Sequence, residues 1–481
     1  MQRKPHVAVV GGGVSGLTAA RRLTGAGADV TVLESSRRLG GKLDVSPVAR
    51  APVDAGAESM LARRPEALDL VHELGLDDHL EYPAPASAAI YSRGRLRAFP
   101  RGHVMGVPGN LAALARSGVI SFPGVLRVAR DLLWPRTPVD GDVAVGRFVG
   151  ARMGSEVVER LVEPLLGGVY AGRADQLSLD ATLPQVGRMA REERSLLRAV
   201  AASTKRRDTQ SPTTGPAFAT LRGGTATLIP HLADQSGASI ETEATVRELA
   251  RSDHGWRLTA GCANNPRHLF ADGVVLACPA PASERLLRPV APAAAAELAG
   301  IDYASMAVIT LAYPTSAFHR PPEGSGFLVP ARERRFVKAV TFSSVKWPWL
   351  AAELRAAHPG TEMTLVRCSV GRFGDEATLQ RSDAELVERA AGDLADICGV
   401  CGPPVDRRVT RWGGGLPQYT VGHQGRVDRA RASVADLPGL ALCGAAYDGV
   451  GIPACIGSAT EAARVVLGEL SAPPEATFHR E

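Results

Sequence analysis

"HVAVVGGGVSGLTAARRL", from His6 to Leu23, is the stretch on which the reading of the whole chain turns. Val7–Val10 is a short apolar run rich in β-branched side chains, the pattern of a buried strand. Apolar residues then recur at Leu17, Ala20 and Leu23, which share one face of a helix. Between the two, Gly11, Gly13 and Gly16 fit G-x-G-x-x-G, with Gly12, Val14 and Ser15 completing the turn. The first glycine permits the tight turn, the second lets a pyrophosphate approach the backbone, and the third lets helix pack on strand. The helix start then turns free N–H groups toward the phosphates. The pattern predicts a dinucleotide site.

Moving outward, "DVTVLESS" (Asp29–Ser36) supplies a second strand ending in Glu34, eighteen residues after Gly16, with Ser35 beside it. A carboxylate there is placed to accept hydrogen bonds from an adenosine ribose; a solvated strand end is the plainer alternative. A lone glycine triplet is weak. Strand, turn, helix, strand and acid in this order are specific.

The bulk numbers fit an enzyme of two or three domains: 481 residues, 45% hydrophobic, 22% charged, net charge +5. The charge is too thinly spread for nucleic-acid binding, although an acidic small molecule would be attracted. No apolar window approaches membrane-spanning length, and the N-terminus runs straight into a strand without a secretory pattern. The seven cysteines are scattered, with one close pair at Cys398–Cys401, and are expected to be buried and reduced. The eleven histidines show no metal-ligand spacing, so no metal is expected. A cytoplasmic protein follows, monomer or homodimer, with at most peripheral membrane contact.

A second glycine-rich turn lies near the other end, in "CGAAYDGVGIPACIGSATEAARVV" (Cys443–Val466). "GLALCG" reads as a returning strand, and Gly444, Val450, Gly451 and Ile452 as backbone free to approach a ring. Ser458 and Glu461 form S-x-x-E and are expected to cap the final helix.

"SRRLGGKL" brings Arg38, Gly41 and Lys42 directly after the second strand. With this string the chain resembles the amine-oxidase-like flavoproteins, where it separates an FAD site from a plain nicotinamide site. The resemblance implies FAD, with Gly56, Ala57, Glu58 and Ser59 of "VDAGAESM" beside the flavin. It also implies Val246 backbone at the adenine and Trp412 among the cofactor contacts. The fold class is then α/β plus α+β: a Rossmann-like FAD domain of the amine-oxidase/PHBH type, a mixed substrate domain and a helical domain. The FAD domain is expected over 1–88, 216–283 and 409–471. The helical domain covers 101–175, and the substrate domain 176–215 and 284–408. The apolar stretch "NLAALARSGVISFPGVLRVARDLLWP" is expected to pack as core, with a channel mouth or membrane surface as the alternative. "STKRRDTQSPTTGP" (Ser203–Pro216) reads as a loop. "MAVITLAYP" and "MTLVRCSVGRF" read as antiparallel strands, followed by a helix at "DAELVERAAGDLADICG".

"RLRAFPRGHVMGVP", "EPLLGGVYAGRADQLSL", "GFLVP", "GRFGDE", "TRWGGGLPQYTVGH" and "GAAYDGVGIPACI" occur in that order along nearly the whole chain. Together they are similar to the porphyrinogen oxidases of haem biosynthesis, most of all the Gram-positive type acting on coproporphyrinogen III. The resemblance implies a six-electron oxidation to coproporphyrin III in three rounds. In each, a hydride equivalent passes to flavin N5, and O2 reoxidises the flavin with release of H2O2. Aromatisation drives the reaction, so the protein chiefly positions and shields. No acid–base residue is nominated. The ring is apolar with four propionates, which asks for apolar walls and cationic edges. Gly167, Gly168, Tyr170, Leu328 and Phe342 are the implied walls, with plain core packing the alternative for each apolar residue. For the propionates the candidates are Arg63, Arg64, Arg93, Arg97 and Arg101, with Arg64 singled out and a solvated surface position the alternative for each. Membrane-associated protoporphyrinogen oxidases often carry a basic residue where this chain has Ala88 and Ala89, which favours the tetra-propionate substrate. Hand-off to a coproporphyrin ferrochelatase is a further implied partner. The rivals are protoporphyrinogen IX as substrate, another amine-oxidase-type flavoenzyme, and a non-catalytic protein binding FAD and tetrapyrroles.

Overall fold

The N-terminal apolar run becomes the centre of a parallel sheet in the computed structural model, which describes residues 3–84, 87–210 (side chains to 206), 215–262 and 264–471. His6–Val10 lies between Asp29–Leu33 and Gly273–Leu276, and Ser239–Glu241 and Leu440–Leu442 form the two edges. All four pairings are parallel, with Val7 opposite both Val30 and Gly273. A parallel sheet is covered on both faces, so its strands are apolar almost throughout. On one face Val7, Val9, Val32 and Val275 share a core with Ala19, Ala20 and Leu23 of the first helix, Val14–Gly25. Ala459, Ala462, Ala463 and Val466 of the last helix, Ile452–Ser471, join the same core. Small alanines let these two helices, the first and the last among the described residues, pack closely on one another.

The other face is covered by a meander (Val246–Ser252, Gly255–Cys262, Asn265–Ala271) and by the helices Ala280–Leu287, Pro292–Ala299 and His423–Ala435. A second sheet has seven strands. In spatial order they are Asp406–Pro417, Tyr303–Pro314, Met363–Val370, Ala339–Phe342, Gly326–Leu328, Ala88–Ser92 and Arg95–Ala98. Its pairings are antiparallel except that between Gly326–Leu328 and Ala88–Ser92. Ile309, Leu311 and Tyr313 face Val366, Cys368 and Val370 in one core, as period-two alternation requires. Helix Asp383–Cys398 covers that core and opens on a capping box formed by Ser382 and Glu385.

The third unit is helical, around Leu114, Phe148, Leu161, Leu166, Leu183, Val186 and Val200. Helices Pro184–Glu192 and Leu196–Gln210 belong to this core, so "STKRRDTQ" (203–210) is the end of a helix rather than a loop. Residues 211–214 of that expected loop lie outside the described residues. The stretch expected to be core splits in two. Gly118 ends one helix in a left-handed cap, and the next, Phe122–Ala129, turns its apolar face outward. Phe122 is 71% exposed and Leu133 86%, with Leu126 and Trp134 also on the surface. Arg130 lies over the Trp134 ring at 5.0 Å. Among the described residues no helix is long and apolar enough to cross a membrane. Cys262 and Cys401 are exposed, against the expectation of burial.

The helices between 280 and 299 pack on the parallel sheet, while 88–98 and 406–417 run in the seven-stranded sheet. We therefore propose dividing the chain so that the helical unit ends near 210 and the sheet unit takes 88–98, 303–400 and 406–417.

Candidate active site

The first turn has the shape a pyrophosphate needs. A Cβ at Gly16 would stand 1.8 Å from the Gly11 carbonyl oxygen, so only glycine lets this helix rest on the strand end. A Cβ at Gly13, by contrast, would meet no heavy atom within 4 Å: the space before the helix N-terminus is open. Glu34 accepts from the Gly12 N–H at 2.7 Å on Oε2 and from the Ser36 N–H at 2.8 Å on Oε1, and the hydroxyl of exposed Ser35 lies 3.3 Å from the same Oε1. Through its backbone Glu34 is tied to Glu241 and Ala244 (2.8 Å each), two residues from Val246. The Val246 carbonyl is taken by Arg285 at 3.0 Å. Arg38 does not point into the turn; it braces its own loop through the Gly41 carbonyl at 2.8 Å.

The next pieces converge from distant parts of the chain. Lys42 accepts through its carbonyl from the Ala57 N–H at 3.2 Å, and Trp412 donates to the Ala55 carbonyl at 2.8 Å. Burial lowers the pKa of Lys42, and Cys455 partly offsets this. Ser15 meets the last turn, lying 3.9 Å from where a Cβ on Gly444 would be. Gly444 donates to Ser458 at 3.3 Å. The final helix begins at Ile452, ahead of the expected capping box. Ser458 is therefore inside the helix, and Glu461 pairs with Arg464. The reason is local: Gly449 (φ +137°) turns the chain, and Cys455 already donates back to Gly451 at 3.0 Å. The helix N-terminus thus stands at Val450–Ile452.

Glu58 is the buried hub of this region. It accepts from Ser343 Oγ and Trp347 Nε1 at 2.9 Å each, and lies 3.3 Å from Arg367 and 3.5 Å from Lys346. Burial alone would raise its pKa, but Lys346 and Arg367 overcome that and hold it at about 2. Arg367 also donates to the Gly56 carbonyl. Asp54, which accepts from the Thr225 N–H at 2.8 Å, is pushed up to about 7 by burial and by Glu58. None of Asp54, Thr225, Ser343, Lys346, Trp347 or Arg367 is expected from motif reading. The one available signal is an arginine inside the apolar strand "MTLVRCSV".

Gly167 and Gly168 sit in helix Glu163–Tyr170, and a Cβ on Gly168 would contact Leu328 at 3.7 Å; one on Gly167 would meet nothing within 4 Å. Tyr170 packs on Tyr419 (5.5 Å between rings), which stacks on buried His423 at 3.9 Å. Burial raises the Tyr170 pKa to about 12 and lowers that of His423 to about 4. Phe342 stands apart from this group, buried against Phe318 and Phe327, so core packing accounts for it. Arg64 caps helix Pro65–Glu73 and pairs with Glu66, in the field of Asp448 and Cys455 at the last turn. Arg93 and Arg97 are tied elsewhere, to the carbonyls of Ile120 and Ser92.

An open dinucleotide cradle completed by the opposite end of the chain defines a flavin-dependent oxidoreductase. The chain belongs to the flavin containing amine oxidoreductase family, whose model matches residues 14–467. It is 39% identical to the coproporphyrinogen III oxidase of Mycobacterium leprae, covering 96% of this chain and 98% of that one. With the coproporphyrinogen III oxidase of Bacillus subtilis it shares 32% identity over 94% and 96% of the two chains. The crystal structure of a proposed protoporphyrinogen oxidase from Exiguobacterium sp. 255-15 superposes with a TM-score of 0.83 at 32% identity, covering 98% of this chain and all of that one.

Proposed function

We propose that this chain is an FAD-dependent coproporphyrinogen III oxidase, forming coproporphyrin III. The observation that carries the reading is the junction of the first turn and the last, where Ser15 faces Gly444. Whole-chain similarity to relatives of that name supports the choice of substrate. Bound FAD supplies a two-electron acceptor that O2 restores, with H2O2 released in each of the three rounds.

The residues of the chain bind and orient. Gly13 leaves room for the pyrophosphate, and the first helix meets it with free N–H groups. Glu34 is positioned for the ribose. The backbone at Gly56–Ser59 and at Val450–Ile452 flanks the ring end, held by Glu58 and by the start of the final helix. That helix N-terminus favours negative charge there by about 0.3–2 kcal/mol. Gly167, Gly168 and Tyr170, with Leu328 beside Gly168, wall the flat macrocycle. Arg64 is the cation for a propionate. No side chain is assigned as general base; the proton lost with each hydride balances the one taken up as O2 becomes H2O2. A coproporphyrin ferrochelatase as receiver of the product completes this reading.

The test compares initial rates in air on coproporphyrinogen III and protoporphyrinogen IX, following porphyrin fluorescence and peroxide. The tetra-propionate substrate is expected to react faster. A faster rate on protoporphyrinogen IX would transfer the assignment to that substrate. Full flavin loading with no turnover of either would overturn it.

A further inference from the structure

The apolar strand Met363–Val370 carries a single charge, Arg367. Val366, Cys368 and Val370 face the core of the seven-stranded sheet, so period two places Arg367 on the opposite face with Met363 and Leu365. There it is 14% exposed and reaches two acceptors, the Gly56 carbonyl and, at 3.3 Å, Glu58. Its Nε is buried and has no acceptor among the described residues.

Gly56 lies between this guanidinium and the dinucleotide cradle. A Cβ on Gly56 would stand 1.9 Å from the Lys42 carbonyl oxygen. The loop carrying Lys42 is joined in turn to the first turn, where the Gly40 N–H donates to the Gly12 carbonyl at 2.9 Å. The charges around Gly56 do not balance. Arg367 and Lys346 both face Glu58, which stays ionised at neutral pH. Asp54, the other carboxyl of the group, is pushed up to about 7 by burial and by Glu58, so below pH 7 it adds little negative charge. Lys346 rests on the Trp347 ring at 4.6 Å, which answers part of its charge. A buried cation in excess is costly, and this one stands one peptide unit behind the backbone assigned to the ring end of the flavin.

We propose that Arg367 is a positioning residue for the flavin reaction: it fixes the Gly56 peptide beside the ring, and its charge, in excess within the cluster, stabilises the negative charge the ring gains with a hydride. The proposal rests on the reading of the chain as a flavin-dependent porphyrinogen oxidase. Arg367→Met keeps an unbranched stem and removes the charge. In an anaerobic redox titration against a reference dye, two-electron reduction of its bound flavin should be at least about tenfold less favourable, a midpoint about 30 mV lower. Arg367→Lys keeps the charge beside Glu58 and should lie within about threefold of the unmodified protein. Glu58→Gln removes the opposing charge at nearly the same shape and should move the midpoint upward. An arginine with a merely structural role would cost heat stability and flavin content, while the flavin retained kept its potential. That result, or an equal fall in Arg367→Met and Arg367→Lys, overturns the proposal. Should the methionine variant not fold, the direction of the shift in Glu58→Gln decides. Unmodified protein that carries flavin but oxidises neither porphyrinogen would overturn the functional reading and leave these potentials measurable, so the two failures are separable.

Discussion

Gly16→Ala is expected to yield protein that retains less than about a tenth of the normal flavin. The added methyl would stand 1.8 Å from the Gly11 carbonyl oxygen and 2.9 Å from its carbon. Both are backbone, so no flexible side chain can move aside; the first helix must lift from the strand end. Overpacking of this kind costs about 1–3 kcal/mol or more, and a tenfold loss of occupancy needs only about 1.4 kcal/mol. The loss falls on the cradle because Gly13 and Ser15 lie in the turn that must open, and Ser15 is where the last turn meets the first. Gly25→Ala, at the far end of the same helix with no atom within 4 Å of the new methyl, is the control and should keep its flavin. The measurement is the ratio of flavin to protein absorbance after gel filtration. Full occupancy in Gly16→Ala would show that the turn does not hold the pyrophosphate.

Glu58→Ala is expected to destabilise the protein by about 3–5 kcal/mol, the usual result of leaving buried charges without their partner. Lys346 and Arg367 would lose their counter-ion, and Ser343 and Trp347 an acceptor. The dependence on pH provides a second readout. Glu58 has its pKa depressed, so its contribution is complete above its ordinary value of 4.5 and is lost as pH falls toward 2. Asp54 has the opposite sign. Raised from 3.8 to about 7, it contributes stability at acid pH that is lost as pH rises through 7. Removing Glu58 takes away one cause of that rise and leaves Arg367 free to favour ionised Asp54. Buried His423, lowered to about 4, gains stability over the same range, so the readout is the difference between the two proteins: from pH 4 to 7 the melting temperature of Glu58→Ala should fall less, or rise more, than that of the unmodified protein. Parallel pH profiles in the two proteins would separate Asp54 from Glu58.

The ADP-binding half of the cradle is legible in the sequence because its signals are local. Gly11, Gly13, Gly16 and Glu34 sit within one strand–turn–helix–strand unit, and each spacing has a geometric reason. The contribution of the last turn is legible too, but the start of its helix is not. Ser458 and Glu461 make a sound capping pattern, yet Gly449 turns the chain well ahead of it, and the helix already runs from Ile452. The exposed helix at Phe122–Ala129 escapes the sequence because composition alone does not say which way an apolar face turns. The Glu58 cluster is invisible for another reason. Its partners lie some three hundred residues away in sequence, and a buried ion pair leaves no spacing pattern, only an arginine in an apolar strand.

The central claim is that flavin held between the two glycine turns takes electrons from a porphyrinogen ring. Mixing the purified yellow protein with coproporphyrinogen III under anaerobic conditions tests it most directly. Bleaching of the flavin band with appearance of porphyrin fluorescence is expected, and the yellow colour should return on admission of air. A flavin that stays oxidised in fully loaded protein with excess coproporphyrinogen III would contradict the claim.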